Sequence, residues 1–169
     1  PVDMDFSMED MIAEEEVVLT ITHQGYIKRT ALNTYRTQRR GGRGVQGAMS
    51  KEEDFVEHLF IANTHNYMLF FTDQGKCYWL KVYDIPQGGR AARGRAIVNL
   101  IGCDPGEKIE AFVSVKEFDD NHYIAMATRN GIVKKTVLSA YGKPRKGGIY
   151  AIEIRDGDKL IEARVTNGE

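Results

Sequence analysis

The chain has 169 residues, of which 42% are hydrophobic and 28% are charged, and its formal net charge is −1. These values are typical of one folded domain with a buried core, and they argue against a wholly disordered chain. No apolar run approaches the roughly 20 residues of a membrane helix, and neither cysteine belongs to a CxxC pair, so we expect no membrane span, disulfide scaffold or zinc module. A net charge near zero also argues against a nucleic-acid partner, unless the charges are segregated along the chain.

The charges are in fact arranged in blocks of alternating sign. Residues 1–16 contain seven acidic residues and no basic one, whereas residues 17–50 contain six basic residues and no acidic one. Further basic blocks carry +4 over residues 75–103 and +6 over residues 121–152, with acidic stretches between them. The neutral sum therefore conceals three basic blocks, and it does not exclude a nucleic-acid partner.

Three segments share the motif Thr-x-[Gln/Asn]-Gly between two runs rich in β-branched and aromatic residues. Its glycines, Gly25, Gly75 and Gly131, are 50 and 56 residues apart. A polar pair ending in glycine between two such runs predicts a β-hairpin, because glycine readily adopts the positive φ of a tight turn. The chain therefore contains a repeat with a hairpin in each copy.

Further strands are predicted after the first two hairpins, over residues 56–62 and 109–115, and residues 160–168 match the strand and turn that precede the later anchor glycines. About four short strands per repeat are typical of a propeller blade. We predict an all-β, propeller-like fold of about three blades over residues 15–169, as part of a longer ring, after an acidic linker over residues 1–14.

Each repeat also contains a basic, glycine-rich segment that we predict to be a loop. We name these the first, second and third basic segments, at residues 38–44, 88–95 and 143–148. Glycine allows the backbone to approach a ligand closely, and the guanidinium group of arginine can donate two hydrogen bonds to one phosphate. Such phosphate contacts carry little base specificity. On this chemistry alone, a solvated basic loop or a flexible RNA-binding segment explains the pattern equally well. The residues of the first basic segment are Gln38, Arg39, Arg40, Gly41, Gly42, Arg43 and Gly44.

The first basic segment, Gln-Arg-Arg-Gly-Gly-Arg-Gly, resembles the heptapeptide box of the C-terminal domain family of DNA gyrase A subunits. Its surroundings resemble that family too, at residues 25–30, 52–55, 81–83, 93–95 and 134–138, and the resemblance covers residues 15–169. It implies a six-bladed β-pinwheel, of which about three blades are present here. The basic rim of such a domain wraps a DNA segment with positive handedness and presents it to the cleavage core.

The same resemblance implies partners and cofactors. Double-stranded DNA, the gyrase B subunit, and the cleavage core of the gyrase A subunit in an A2B2 holoenzyme are the expected partners, in the bacterial cytoplasm at the nucleoid, with no membrane involved. The holoenzyme introduces negative supercoils with ATP hydrolysed on the B subunit. The family's catalytic and metal-binding residues lie outside the resembling region, so we expect no catalytic residue, no metal site and no cofactor in this chain, with ATP and Mg²⁺ used elsewhere in the holoenzyme.

Further basic residues are candidates for the same DNA contact. If the blades lie side by side, the second and third basic segments continue a phosphate track that the first begins, and cations on the adjoining strands widen it. The candidates on the two later segments are Arg90, Arg93, Arg95, Lys143, Arg145 and Lys146. The candidates on strands are Lys28, Arg29, Lys134 and Lys135.

Two other functions stay open. The topoisomerase IV counterpart of this gyrase subunit has a similar domain with fewer blades and no intact box, and the unbroken heptapeptide favours gyrase over it. A propeller that binds proteins would instead expose apolar or acidic loops. Neither the serines, the cysteines nor the four scattered histidines have the surroundings of a catalytic nucleophile or base, so the chain is not expected to be an enzyme by itself.

Aromatic residues on the predicted strands are interpreted as core, since wrapped duplex DNA offers no unstacked base for them to contact. The two cysteines, Cys77 and Cys103, are interpreted as reduced interior thiols. The aromatic residues concerned are Phe70, Phe71, Tyr78, Trp79 and Tyr83.

Overall fold

The computed structural model describes residues 8–41 and 54–168, and within these ranges it contains eleven β-strands and two α-helices. The strands are β1 (Glu16–Thr22), β2 (Tyr26–Ala31), β3 (Val56–Asn63), β4 (Tyr67–Thr72), β5 (Lys76–Lys81), β6 (Arg95–Ala96), β7 (Ile109–Val115), β8 (Tyr123–Thr128), β9 (Val133–Val137), β10 (Ile149–Tyr150) and β11 (Leu160–Thr166). The helices are α1 (Leu32–Gly41) and α2 (Ile97–Ile101), and single turns of 3₁₀ helix occur at Met8–Met11, Val82–Asp84 and Leu138–Tyr141. Neither α-helix is long and apolar enough to span a bilayer.

The three predicted hairpins are confirmed. Strand β1 pairs with β2, β4 with β5, and β8 with β9, in each case antiparallel. The anchor glycines Gly25, Gly75 and Gly131 have φ of 88°, 86° and 99°, a backbone conformation that residues with a Cβ rarely adopt. The repeated glycine in the sequence therefore reports a repeated tight turn.

The strands form three antiparallel sheets in the orders β3-β1-β2-β6, β10-β5-β4-β7 and β11-β8-β9, which we name the first, second and third sheets. In each of the first two sheets, one edge strand comes from the next repeat, after the hairpin of that repeat. Strand β6 follows β5 but joins the first sheet, and β10 follows β9 but joins the second. Each of these two strands comes directly after, or overlaps, a basic segment, so the second basic segment belongs to the first sheet and the third to the second.

The described residues divide into two compact units, one of residues 8–41, 54–65 and 82–95, and one of residues 66–81 and 96–168. In the first unit, the side chains of residues 17–22 of β1 and of Ile27 of β2 are buried. In the second unit, one apolar cluster is shared by the second and third sheets, and it includes Leu69, Val113, Ile124, Met126 and Leu160. Apolar burial of this kind is the main stabilising contribution to each unit.

Part of the predicted acidic linker contacts the turn that follows β3. The hydroxyl of Thr64 donates to the carbonyl oxygen of Ala13 at 2.8 Å and accepts from the backbone N–H of Glu15 at 3.2 Å. The ring Nε2 of His65 lies 2.8 Å from the carbonyl oxygen of Ile12. Residues 12–15 are therefore held at the turn between β3 and β4, and residues 1–7 lie outside the described residues.

One local expectation is wrong. Residues 38–41 of the first basic segment continue the helix α1 and do not form a loop. No glycine or proline occurs between Leu32 and Arg40, and leucine, glutamine and arginine favour a helix, so the backbone stays helical until glycine is reached. Residues 42–44 lie outside the described residues.

The interpretation of the aromatic residues as core is confirmed for Phe70, Phe71 and Tyr78, which are at most 2% exposed. Trp79 and Tyr83 are half-buried. Both cysteines are free thiols, and Cys77 is buried, but Cys103 is only half-buried. Burial raises the pKa of the Cys77 thiol far above its ordinary value, as expected for an inert interior cysteine.

Candidate nucleic-acid interface

The second basic segment and the residues before it run along β2 of the first sheet. The backbone N–H of Arg29 donates to the carbonyl oxygen of Pro86 at 2.9 Å, and the backbone N–H of Gly88 donates to the carbonyl oxygen of Arg29 at 3.0 Å. The hydroxyl of Thr30 also donates to the carbonyl oxygen of Gly88, at 2.8 Å. The segment is therefore hydrogen-bonded to the sheet before β6 begins.

Gly94 brings the end of this segment onto the strand. Its φ is 92°, and a Cβ at this position would fall within 3.0 Å of the carbonyl oxygen of Ile27, so both conformation and space require glycine. Gly148 has the same place in the third basic segment. Its φ is 76°, and a Cβ there would lie 2.9 Å from the carbonyl oxygen of Cys77. Because Ile27 and Cys77 each lie two residues after an anchor glycine, the two segments meet equivalent points of the first and second sheets.

The side chains of Lys28 and Arg29 on β2 turn to the backbone of residues 83–92. The Nζ of Lys28 donates to the carbonyl oxygens of Gly89 at 2.6 Å, Ala92 at 2.9 Å and Arg90 at 3.4 Å. Burial lowers the pKa of its ammonium group. The Nε of Arg29 donates to the carbonyl oxygen of Ile85 at 2.6 Å.

Arg93 extends back to the β1–β2 turn. Its guanidinium lies over the ring of Tyr26, 3.9 Å from the centroid, and its Nη2 donates to the side-chain oxygen of Gln24 at 2.8 Å. The same nitrogen is 3.5 Å from the carboxylate of Asp54, whose side chain is 1% exposed. In contrast, the side chain of Arg95 is exposed.

The cations of the third basic segment lie on the surface. Lys143, Arg145 and Lys146 are all exposed, and the last two line an open groove with Trp79 and α2. The indole N–H of Trp79 donates to the carbonyl oxygen of Tyr141 at 2.9 Å, just before the segment begins. The side chain of Trp79 on β5 therefore holds the backbone that leads into this segment.

The two lysines of β9 also contact backbone. The Nζ of Lys134 donates to the carbonyl oxygen of Ala151 at 3.1 Å, and the Nζ of Lys135 donates to that of Gly168 at 3.3 Å. Lys135 additionally lies over the ring of Tyr123, 4.9 Å from its centroid. Both side chains remain exposed, so these contacts leave them accessible to a ligand.

The repeat seen in the fold is also the repeat of a known family. A family profile described as DNA gyrase C-terminal domain, beta-propeller, matches residues 16–63, 66–116 and 122–167, one match for each hairpin. The chain belongs to this family. The resemblance on which the sequence interpretation depends is thereby confirmed, together with the all-β, blade-like fold.

Curated gyrase relatives match almost the whole chain. The DNA gyrase A subunit of Clostridium acetobutylicum is 52% identical over 165 residues, covering 98% of this chain and 20% of that protein. The DNA gyrase A subunit of Neisseria gonorrhoeae is 50% identical over 164 residues, covering 97% of this chain and 18% of that protein. The chain thus spans about a fifth of the length of these gyrase subunits.

Two solved structures have the same fold as this gyrase-family chain. The C-terminal domain of DNA topoisomerase IV superposes with a TM-score of 0.77 at 30% identity, covering 94% of this chain and 48% of that one. The DNA gyrase A C-terminal domain superposes with a TM-score of 0.66 at 22% identity, covering 92% and 49%. At the latter identity the likeness supports the fold alone.

Sequence reasoning missed a set of three acids in this gyrase-family chain, two of which accept hydrogen bonds from the hairpin turns. Asp54, Glu107 and Asp158 each lie two residues before a long strand, and the signal was present in that spacing. A carboxylate oxygen of Asp54 accepts from the backbone N–H of Gln24 at 2.9 Å, and one of Asp158 accepts from that of Asn130 at 2.9 Å. Glu107 instead accepts from hydroxyl groups in the second sheet.

The environment of Asp54 stabilises its charged form. Burial alone would raise the pKa of this carboxyl, but the hydrogen bonds it accepts and the nearby Arg93 charge hold the pKa below its ordinary value. The buried carboxylate therefore fixes the β1–β2 turn and also faces a cation of the second basic segment.

Proposed function

We propose that this chain is the DNA-wrapping part of a gyrase A subunit, which bends duplex DNA around a basic rim. The observation that carries the proposal is the recurrence of basic, glycine-rich segments at equivalent edges of successive sheets, in a chain of the gyrase family. Glycines at Gly94 and Gly148 bring backbone and cations to the same point of each sheet. If the blades lie side by side, such segments would suit a phosphate backbone, which repeats along the duplex and carries no base information.

The first basic segment starts the proposed track and the other two continue it. Its glycines let the backbone approach phosphate, and its arginines supply paired, charge-assisted hydrogen bonds. Sequence preference then comes mainly from how easily the DNA bends. The candidates for these contacts are Gln38, Arg39, Arg40, Gly41, Gly42, Arg43 and Gly44, then Arg90, Arg93 and Arg95, then Lys143, Arg145 and Lys146, with Lys28, Arg29, Lys134 and Lys135 on the strands beside them.

In the holoenzyme, the wrapped segment would be presented to the cleavage core of the gyrase A subunit for strand passage. Wrapping of positive handedness fixes the direction of passage, so that ATP hydrolysed on the B subunit drives negative supercoiling. The chain itself would supply positioning and electrostatics, with no catalytic step. A cytoplasmic place of action, on the bacterial chromosome, goes with this proposal.

Ligation of nicked circular DNA in the presence of the chain tests the wrapping directly. Each wrapped segment becomes fixed as a change in linking number when the nick is sealed, and the sign of the change reports the handedness. We expect a shift of positive sign that grows with the amount of chain and disappears at high salt, since log affinity falls by about 0.9 per phosphate neutralised for each unit of log salt. An unchanged linking number at saturating chain would contradict the proposal.

Replacing Arg39, Arg40 and Arg43 together with alanine in the full-length protein sharpens this test. We expect the fold to persist, because charged side chains of this type rarely belong to a core, and we expect supercoiling of relaxed plasmid to be abolished. A variant with Lys116, Arg155 and Arg164 replaced by alanine removes the same charge from exposed positions outside the basic segments. It should supercoil normally. Normal supercoiling by the first variant would show that the box is dispensable.

The corresponding chain of topoisomerase IV is the second candidate, because its C-terminal domain superposes with a TM-score of 0.77. The two candidates differ in the reaction of the complete enzyme, since only gyrase adds negative supercoils to relaxed DNA. The unbroken heptapeptide and the curated gyrase relatives favour gyrase. Relaxation or decatenation without supercoiling by the complete enzyme would favour the second candidate.

A further inference from the structure

We propose that three of the cations near the second basic segment, Lys28, Arg29 and Arg93, are positioning residues that hold this segment on the first sheet. We name these three residues the cationic clamp. Phosphate would then be contacted on this sheet by exposed Arg95. The part that concerns phosphate depends on the proposed DNA-binding function, whereas the holding of the segment does not.

Lys28 is the centre of the cationic clamp. Its ammonium group donates to three carbonyl oxygens, those of Gly89, Arg90 and Ala92, so the backbone of the segment curls around the charge. An ammonium group has three N–H donors, and all three are accounted for by these carbonyls. A phosphate could reach Lys28 only by displacing hydrogen bonds that shape the segment.

Arg29 holds the part of the chain that leads into the segment. Its Nε donates to the carbonyl oxygen of Ile85, and its Nη2 donates to that of Tyr83 at 3.3 Å. Its own backbone N–H donates to the carbonyl oxygen of Pro86, and its carbonyl oxygen accepts from the backbone N–H of Gly88. The residue therefore contacts the incoming chain with both its side chain and its backbone. A structural role is sufficient to explain why a charged residue occurs at this position.

Arg93 holds the end of the segment. One face of its guanidinium is covered by the ring of Tyr26, and one edge contacts Gln24 and the buried carboxylate of Asp54. A guanidinium stacked on an aromatic ring is attracted to the ring electrons, and lysine reproduces this contact poorly. These contacts lie within two residues of Arg95, so they also fix where Arg95 points.

Two measurements test the cationic clamp. One is amide hydrogen exchange of the chain, and the other is its binding to a short DNA duplex at several salt concentrations. The backbone N–H of Ala92 donates to the carbonyl oxygen of Gly89 at 3.2 Å, so its exchange reports on the segment. Arg93→Ala, and Tyr26→Leu, which removes no charge, should each speed this exchange at least about tenfold and leave the salt slope of binding unchanged. Tyr26→Phe keeps the ring and should match the wild type. Arg95→Ala should leave exchange unchanged, reduce the salt slope by about 0.9 and weaken binding about fivefold.

The outcomes separate the two parts of the proposal. A reduced salt slope for Arg93→Ala, with unchanged exchange of Ala92, would make Arg93 a phosphate ligand and overturn its positioning role. Weaker duplex binding by Tyr26→Leu, which removes no charge, would support the positioning role of Arg93. If the wild-type chain binds no duplex at all, the proposed function fails, while the exchange rates of Arg93→Ala and Tyr26→Leu, with Tyr26→Phe as the control, still decide whether the clamp exists.

Discussion

The second and third basic segments meet equivalent points of two sheets, yet different chemistry holds them there. Three and four residues after the anchor glycine, the first sheet has Lys28 and Arg29, whereas the second has Tyr78 and Trp79. The lysine and arginine donate to the backbone of the second segment and of the residues leading into it. The ring of Tyr78 instead lies beneath Gly148, and Trp79 donates to the carbonyl oxygen of Tyr141.

This difference shows that the basic residues of the proposed DNA-binding surface are not equivalent. In the third segment, where aromatic side chains give support, all three cations are exposed. In the second, Arg93 faces the sheet and Arg95 faces solvent, although only one residue separates them. If the proposed function holds, a count of charges along the sequence therefore overestimates the number of phosphate contacts on the first sheet.

The largest expected effect tests what the two segments share. Gly94→Ala would place a Cβ against the carbonyl oxygen of Ile27 at a φ of 92°, so we expect a loss of about 3 kcal/mol in the free energy of unfolding. Gly148→Ala meets Cys77 at 2.9 Å and should cost about 2 kcal/mol. Urea denaturation measures both losses.

Two glycines serve as matched controls for this prediction. Gly25 has a φ of 88° but open space around its Cβ position, so Gly25→Ala should cost only about 1 kcal/mol. Gly89 has neither a positive φ nor a close neighbour, and Gly89→Ala should be nearly neutral. Equal losses at Gly94 and Gly89 would mean that the close approach to β2 does not constrain the segment.

The sequence was sufficient to predict the hairpins, because Gly25, Gly75 and Gly131 mark turns whose cause is local. The edge strands β6 and β10 could not be placed in the same way. They have only two residues each, and their pairing with a sheet of the preceding repeat depends on contacts between distant segments. Tertiary pairing of this kind leaves almost no local pattern.

The residue types of the candidate site could be predicted from the sequence, but the hydrogen bonds that these residues make could not. The sequence identifies Lys28, Arg29 and Arg93 as basic residues near glycine-rich segments, but the direction of a side chain depends on what packs beside it. Only the folded chain brings the carbonyl oxygens of Gly89 and Ala92 to Lys28. Similarly, helix propensity was present in residues 32–40, but the conspicuous glycines after them favoured a loop.

A second, smaller effect tests the chemistry that distinguishes the segments. Lys28→Met keeps most of the side-chain volume but removes the donors to three carbonyls, so we expect a loss of about 2 kcal/mol and faster amide exchange at Ala92. Tyr78→Phe removes a hydroxyl that donates to Glu107 at 2.6 Å, and should cost about 1.5 kcal/mol.

The two variants should differ in what they do to the segments themselves. Tyr78→Phe keeps the ring beneath Gly148, so exchange of the Gly148 amide, which donates to the carbonyl oxygen of Arg145 at 3.0 Å, should be unchanged. Lys28→Met should affect the second segment locally. If both variants lower global stability and neither changes exchange in its own segment, the contrast between cationic and aromatic support is wrong.

The smallest expected effect concerns pH, through the carboxylate that Arg93 faces. Because the pKa of Asp54 is held below its ordinary value, its contribution to stability is present above the unfolded-state pKa, near 3.8, and is lost as pH falls through the folded-state pKa. Asp54→Asn should therefore cost about 1 kcal/mol at neutral pH and flatten the loss of stability below about pH 4. Protonation of Asp54 should also release Arg93, so amide exchange at Ala92 should respond to acid more in the wild type than in Asp54→Asn. Parallel stability curves for the two proteins between neutral and acid pH would mean that the Asp54 charge does not support the second basic segment, and the difference between the two segments would then depend on Lys28 and Arg29 alone.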